Sequence, residues 1–519
     1  MAFAQAQLNN PTIPVLERQQ ALDRIHGNPG VPKEATTSSF WLKEPRPQFA
    51  PKSLHSLPLE ADVLIIGSGI TAASIAYTLL QNCTKGATDP LRPAVLMLEA
   101  REVCSGATGR NGGHIIETAD EYADLADQLG EEAARKIIRF RLAHLREMLG
   151  VAEELGLTEA TQAREVQFLN AFFGDEEWKS AKERLQRFMD GMPEESKEWI
   201  AYEGDSIPEE FKLSRASGVI AGPAGALWPY KFVTGILARL LDDYPLDFRI
   251  VDHTAVRDIT YYSSRSFFPK GRRPERNFTI YMHGQTFCAQ HVIHCTNAHV
   301  GCLVPGLRGR IFPVRGQMCA QTPGDNFPLQ AEKHSWLFNY DRGFDYLTQL
   351  PSRQMMFGGG LSKGEHQGVA DLGVSTDHEI SPGIEAHLSG ALSTIFDPEA
   401  WGPVQGDPIQ AMWTGSMGFS ADGFPWVGRL PRSVTGRATD DAKPNAGSEW
   451  VCAGFCGEGM VQAWLSGKAL ATMLLKMDGR SDVDLSWFPE QLQVTEERID
   501  SAVLPEIVYD LSAEHQANL

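Results

Sequence analysis

The run Gly67-Ser-Gly69-Ile-Thr-Ala72 constrains this chain more than any other stretch. An apolar segment, Val63–Ile66, leads into it, and a helix-forming segment, Ala73–Leu80, follows. A buried strand, a glycine turn and a helix in direct succession open a βαβ unit of the kind that binds dinucleotides. Each small residue has a mechanical duty: Gly67 turns the chain tightly, Gly69 lets the backbone approach a pyrophosphate, and Ala72 lets helix and strand pack closely. Ser68, Ile70 and Thr71 complete the turn, and the free N–H groups and positive dipole end of the helix then receive the phosphates. Glycine turns after buried strands often bind nothing, so the continuation matters. A second strand, Ala94–Leu98, ends on Glu99, where a carboxylate can accept hydrogen bonds from ribose hydroxyls, with Ala100 and Arg101 beside it. Residues 82–93, with Gly86, Pro90 and Pro93, read as a loop inserted between the halves of the unit.

At 519 residues the chain is too long for one core, and two or three domains are expected. No apolar run approaches the ~20 residues that span a bilayer, so no membrane association is expected. A net charge of −19 argues against nucleic acid, whose phosphates need clustered Lys and Arg. The eight cysteines, at 83, 104, 288, 295, 302, 319, 452 and 456, form no CxxC pair and no metal-like spacing; they read as free thiols, and no metal site is expected. The N-terminus has neither a basic nor an apolar signal region, which makes the cytoplasm the expected location. The terminal Ala517-Asn518-Leu519 weakly resembles a Ser-Lys-Leu peroxisomal address, so peroxisomal import is the alternative. Nothing in the pattern specifies an oligomeric state.

Residues 1–60, polar and Pro-rich with an aromatic knot at Phe40-Trp41, read as an arm lying across the body. Helical periodicity runs over Glu117–Leu155, Glu176–Met189, Pro229–Leu241 and Glu385–Ile395. Short extended pieces are expected at 248–251, 255–256, 278–281, 290–294, 311–322 and 344–360. Residues 433–448 read as a polar insertion. Near the end, the strand Glu449–Ala453, the loop Gly454-Phe-Cys-Gly457-Glu-Gly459 and a helix from Met460 to Leu475 repeat the strand–glycine–helix arrangement. This is either a second nucleotide site, for NADPH, or a glycine-lined helix start facing the same cofactor. No acidic-ended strand follows it, which favours the second reading.

Four segments in order carry a resemblance to a known family: Gly67–Ala72; Ser105-Gly-Ala-Thr-Gly-Arg-Asn-Gly-Gly113; Trp413-Thr-Gly-Ser-Met-Gly-Phe-Ser-Ala-Asp-Gly-Phe-Pro-Trp-Val-Gly428; and Ala453-Gly-Phe-Cys-Gly-Glu-Gly-Met460. With Cys295–Ala298 and Pro313–Gln317 between them, the chain resembles the D-amino-acid oxidase-type flavoenzymes over residues 39–475. The group includes glycine, sarcosine and gamma-glutamylputrescine oxidases, and the 105–113 run looks closest to the last of these. The resemblance implies an α/β fold: a Rossmann-like FAD-binding domain interleaved with a substrate domain of antiparallel β-sheet plus helices. On this chain the implied division is an arm at 1–60, an FAD-binding domain from 61–165, 217–310 and 405–480, a substrate domain from 166–216 and 311–404, and a tail at 481–519.

The implied FAD-binding set comprises the 67–72 turn and Glu99–Arg101 with Ser105, Gly106, Ala107, Thr108, Arg110, Asn111 and Gly112. Val256, Thr296 and Asn297 add to it, as do Gly454, Phe455, Gly457, Glu458, Gly459 and Met460. Glycines at 106–113 suit a backbone threading past a planar ligand. The helix start at Gly457–Met460 is expected to aim its dipole at the pyrimidine end of the flavin and to stabilise the reduced anion. Many relatives carry a histidine in that loop where this chain has Glu458, a carboxylate that either faces solvent or weakens the stabilisation.

Gly415 stands where sarcosine oxidase-like members attach flavin through cysteine, and Arg110 stands near where others use histidine. Non-covalent FAD is therefore expected, with Cys104 and Cys456 the alternative attachment points. The oxygen-activating lysine of some relatives has no clear counterpart: Met355-Met-Phe357 occupies its neighbourhood and Lys363 lies nearby. Arg110 and Tyr346 are the catalytic candidates, Arg110 as a fixed cation or else a structural ion pair. Trp336, Phe338, Tyr340 and Phe344 are further pocket candidates or else core, and Arg342 is a substrate-carboxylate ligand or a loop cation.

The implied activity is oxidation of a small amine or amino acid, with hydride passing from the carbon next to nitrogen to flavin N5, and molecular oxygen as the second partner, yielding hydrogen peroxide. A dehydrogenase passing electrons to a carrier or quinone, and a non-enzymatic flavin-binding redox sensor, stay open beside it.

Overall fold

The structure, a computed structural model, describes residues 2–49, 58, 60–81, 92–262, 276–437, 447–479 and 482–504. Most of the insertion expected at 82–93, Cys83, most of the 433–448 insertion and Ala517–Leu519 lie outside the described residues.

Two sheets organise the chain. The first has eight strands, and its central six run in the order Trp426–Arg429, Ser448–Ala453, Gln285–His294, Glu60–Ile66, Val95–Leu98, Phe248–Val251. The last five of these are parallel neighbours, and Trp426–Arg429 closes one edge antiparallel. Val63, Leu64 and Ile65 are almost wholly buried, as a central strand covered on both faces requires. The helix Ile70–Gln81 follows the glycine turn and buries nearly all of its residues. The helix Ala463–Met477 crosses it at Gly467, where a Cβ would meet the Thr71 carbonyl at 2.8 Å, so two backbones touch through a missing side chain.

The second sheet has nine strands, and Ile409–Ser420, Ile311–Gln321, Met355–Gly359, Phe344–Gln349, His334–Asn339, Arg164–Phe172, Gly218–Ala226 and His114–Ile115 run in that order. Ile200–Glu203 pairs with Gly218–Ala226 off this path. One neighbouring pair, His334–Asn339 with Arg164–Phe172, is parallel, so the sheet is mixed rather than purely antiparallel. Gly218–Ala226 and most of Ile409–Ser420, which the sequence division groups with the FAD-binding stretches, hydrogen-bond into this second sheet. Pairing partners at long sequence distance decide which sheet they join.

The helical stretch expected over 117–155 is two helices, Asp120–Leu129 and Glu131–Glu154, broken at Gly130, whose φ of 85° no continuing helix accommodates. Acidic residues open both, where the helix dipole favours them. Residues 255–256 form no strand. The N-terminal arm carries two helices, Ala2–Leu8 and Val15–His26, and lies against residues 369–373 through Arg24, which donates to the Leu372 and Val369 carbonyls. Among the described residues no helix is long and apolar enough to cross a membrane.

Candidate cofactor and active site

The parallel strands of the first sheet end together, and a cavity opens over those ends. Gly67 takes φ 105° and receives no side chain, because a Cβ there would stand 2.8 Å from the Cys295 carbonyl oxygen at the end of the neighbouring strand. A Cβ on Gly69 would stand 2.9 Å from Thr108 Oγ1. That hydroxyl accepts from the Ile70 amide at 3.0 Å, so the 105–113 run is drawn onto the helix start. Glu99 accepts from the Ser68 amide and hydroxyl through Oε2, and from the Arg101 amide through Oε1. It fixes the turn as well as offering the carboxylate expected for a ribose.

Of the expected set, 67–71, Glu99, Ala100, Arg101, Gly106–Thr108, Asn111, Val256, Thr296, Asn297, Phe455, Gly457, Gly459 and Met460 line this one cavity. Ala72, Ser105, Arg110, Gly112, Gly454 and Glu458 are not on its wall. Ala72 is fully buried between helix and strand, as its size implies. Asn297 Oδ1 accepts from the Gly454 amide at 2.9 Å and ties the final glycine loop to the strand end at 294. Thr296 Oγ1 is buried without a hydrogen-bond partner. A glycine cradle with no room for Cβ atoms and a buried hydroxyl awaiting a partner fit a dinucleotide laid across the strand ends.

Arg110 is buried and committed to protein. Its Nε donates to the Ser105 carbonyl at 2.9 Å, its Nη1 donates to the Thr37 and Thr414 carbonyls, and Asp377 lies 3.4 Å from Nε. Burial lowers its pKa to about 10, against the Asp377 carboxylate, which raises it. Asp377 also takes both its oxygens to Arg101 Nη1 at 3.0 Å. Two guanidinium groups therefore share one carboxylate. Gly415 lies against the Arg110 side chain, its Cβ position 3.1 Å from Arg110 Cβ.

Glu458 neither faces solvent alone nor stands as an unopposed charge. Arg141 Nη2 lies 2.7 Å from it and the Gln462 amide donates to it at 2.8 Å. Arg141, buried on the helix Glu131–Glu154, also contacts Glu117 and Glu121. Burial pushes the Glu117 carboxyl well up, with Arg141 opposing. The helix expected from Met460 starts instead as a single 3₁₀ turn, Gly459–Val461, before the α-helix Ala463–Met477.

Neither alternative attachment thiol is on the cavity wall. Burial pushes the thiols of Cys104 and Cys456 up, so both stay protonated and poorly nucleophilic. The described cysteines are all free.

The second sheet brings Tyr346 to the cofactor loop. Its ring is wedged between two glycines: a Cβ would meet Cε2 at 2.8 Å from Gly112 and Cζ at 2.5 Å from Gly358. Thr348, two residues on and on the same face, donates to the Gly112 carbonyl at 2.9 Å. The other aromatics diverge. Trp336 and Phe338 are core, Phe344 is exposed, and Tyr340 donates to Asp345, which His387 also contacts at 2.7 Å. Arg342 and Lys363 are exposed, and Met355, Met356 and Phe357 are fully buried.

Sequence reasoning missed Gly30–Pro32, Thr254, His299, Asp377 and Met417 on the wall, and Arg141 behind it. Arg141 sits in a helix whose periodicity announces core packing. Met417 lies inside the Trp413–Gly428 segment without being singled out there, and Gly30–Pro32, Thr254, His299 and Asp377 lie outside the glycine motifs.

A strand–glycine–helix cradle, a ribose-side carboxylate and a second sheet meeting the cofactor loop define a flavin-dependent oxidoreductase. The chain belongs to the DAO family of FAD dependent oxidoreductases, whose family model matches residues 62–473. The probable oxidoreductase OrdL of Haemophilus influenzae is 21% identical over 445 residues, covering 82% of this chain and 85% of its own. Among solved structures, the fold is similar to L-proline dehydrogenase from P. horikoshii (TM-score 0.60, 16% identity, 86% of this chain and 100% of that one). It is likewise similar to glycine oxidase from Geobacillus kaustophilus (TM-score 0.58, 16% identity, 85% and 99%). L-amino acid deaminase from Proteus vulgaris also matches (TM-score 0.57, 14% identity, 87% and 97%).

Proposed function

We propose that this chain oxidises a small amine or amino acid, releases an imine that water hydrolyses, and passes the electrons to oxygen as hydrogen peroxide. Bound FAD supplies the acceptor for the hydride that leaves the carbon next to nitrogen. The observation that carries the reading is Tyr346, an aromatic ring from the second sheet seated against Gly112 of the cofactor loop. It fills the space between that loop and the sheet, behind the cavity wall, so it would border a substrate lying beside the loop and set the loop's position. Burial, reinforced by the Asp345 carboxylate, pushes the Tyr346 hydroxyl above its ordinary range, so it stays neutral. Freeing the lone pair of an amine with pKa near 10 costs about 4 kcal/mol at pH 7, and an apolar aromatic surface lowers that cost by disfavouring the ammonium form. Tyr346 is thus a substrate-positioning residue, and Arg110 a buried cation that holds the loop. The names of the similar structures, a glycine oxidase, a proline dehydrogenase and an amino acid deaminase, support an amino-acid or amine substrate.

Anaerobic bleaching of the bound flavin by a panel of primary and secondary amines, amino acids, alcohols and carbon acids tests this. An amine should bleach it, with a rate that rises along one ascending limb of pH displaced below the free amine's pKa. Bleaching by alcohols or carbon acids alone would keep the cofactor and overturn the chemistry.

One observation favours a dehydrogenase: among the described residues no lysine lines the cavity. Oxygen uptake against dye reduction, measured on the same amine, separates the two.

A further inference from the structure

We infer that residues 27–42 form a strap over the adenosine end of the cavity and hold FAD in place, a role resting on the FAD site described above. Gly30, Val31 and Pro32 lie on the cavity wall with Arg101 and His299. Glu99 and Val256 line the same cavity, and the polarity of a βαβ unit puts ribose and adenine beside the acidic end of the second strand. The strap therefore covers the nucleotide half of the cofactor rather than its flavin half.

Its ties are specific and run to the residues that shape the site. His299 Nδ1 meets the Gly30 carbonyl at 2.9 Å, Ser375 Oγ donates to the Pro29 carbonyl at 2.7 Å, and Arg101 Nη1 reaches the Lys33 carbonyl at 3.4 Å. Thr37 is the central knot. Its amide and hydroxyl both donate to the Asp377 carbonyl at 2.9 Å, its hydroxyl accepts from the Thr414 amide, and its carbonyl accepts from Arg110. Beyond it, Ser39 Oγ donates to the Gly109 carbonyl and the Trp41 side chain is fully buried. On the other side the strap hangs from the helix Val15–His26, where Ile25 is buried. Both ends are thus anchored in core while residues 33–36 between them are exposed. A bridge held at both ends, with its inner surface on the cavity, opens only if the knot at Thr37 breaks. The family model begins at residue 62, so the strap lies outside the matched core.

The strap should slow FAD release without setting the flavin's chemistry. The test uses full-length holoenzyme and the double variant Thr37→Val, Ser375→Ala, which removes strap ties and leaves the wall residues unchanged. After dilution, FAD release is followed by the recovery of flavin fluorescence. The variant should release FAD about tenfold faster, the equivalent of roughly one net hydrogen bond, while the visible spectrum of its bound flavin matches wild type. In wild type, amides of residues 30–37 should exchange hydrogen more slowly with FAD bound than in the stripped protein. Release at the wild-type rate, or exchange at 30–37 indifferent to FAD, would overturn the strap. A wild-type chain that purifies without any flavin would instead overturn the cofactor reading.

Discussion

The cavity is built from two sheets that recognise by opposite means. On the parallel sheet the wall is backbone: Gly67 and Gly69 contribute the absence of a side chain, and the strand ends contribute amides and carbonyls. On the mixed sheet the wall is side chain: Ser416 and Met417 line the cavity, and behind the wall Tyr346 and Thr348 project from alternate positions of one strand onto Gly112, with Gly358 leaving room for the ring. A backbone wall admits one solution, since a pyrophosphate must approach the same atoms in any such protein. A side-chain wall can be refitted residue by residue under an unchanged strand pattern. Changes to the first wall should therefore be close to all-or-none, and changes around the second graded.

The largest effect expected is at Gly67. Valine there must accept φ 105° and place its Cβ on the Cys295 carbonyl, so Gly67→Val should purify without flavin, read as the ratio of 450 to 280 nm absorbance. Normal flavin content in this variant would break the distinction between the walls. Glu99→Ala should be milder but still clear. It removes the acceptor for the Ser68 and Arg101 amides as well as a ribose contact, and FAD affinity should fall by about 1–3 kcal/mol. Titration of apoprotein with FAD measures it.

The same contrast governs how much of the molecule was legible in its sequence. The backbone wall announces itself locally, because glycines at fixed offsets after an apolar strand leave few alternatives. The join at Asn297 was legible too, through the order of the family segments. The strap was not. Gly30–Pro32 have the composition of any loop, and only the ties of Thr37 to residues 377 and 414 place them over the cavity. Arg141 was hidden differently: it interrupts the apolar face of a long helix, where a buried guanidinium looks like an ordinary surface charge until Glu117 and Glu458 are seen around it. Sheet membership of Gly218–Ala226 and Ile409–Ser420 was likewise out of reach, since a strand's own pattern specifies burial and not partner.

Acid should loosen the helix layer that supports the backbone wall. His144 is fully buried on the helix Glu131–Glu154; its Nε2 accepts from the Leu465 amide at 3.1 Å and its Nδ1 meets the Phe140 carbonyl. Burial lowers its pKa from 6.5 to about 4. Because the folded value lies below the unfolded one, the unfolded chain takes up the proton first as pH falls. Stability is complete above pH 6.5 and is lost progressively toward pH 4. The loss from this one group should reach about 2 kcal/mol at pH 5. His144→Gln should cost stability at pH 7 yet lose less than wild type between pH 7 and pH 5, as followed by urea unfolding. Equal pH dependence in the two proteins would assign the acid sensitivity elsewhere.

The smallest effect expected concerns charge at the flavin end. Glu458 sits in the loop between Gly457 and Gly459 on the cavity wall, and its carboxylate is held by Arg141 and Gln462. Replacing it with glutamine keeps the size and the Gln462 contact but removes one negative charge from a cluster in which Glu117 and Glu121 already face Arg141. A less negative surround favours the reduced, anionic flavin, so the reduction potential should rise. The Glu458 side chain is 38% exposed, which screens the change and limits it to about 0.5–1 kcal/mol, as for other part-exposed ion pairs. For a two-electron couple that is roughly 10–20 mV. Redox titration of Glu458→Gln holoenzyme against a reference dye should find an upward shift of this size with FAD affinity unchanged. A downward shift would mean that the carboxylate orients Arg141 toward the flavin and matters more for that than for its own charge. The pyrimidine end would then be tuned by a side chain on the helix Glu131–Glu154, far from the Gly457–Gly459 loop in sequence, and the graded wall would extend further round the cofactor than Ser416 and Met417 indicate.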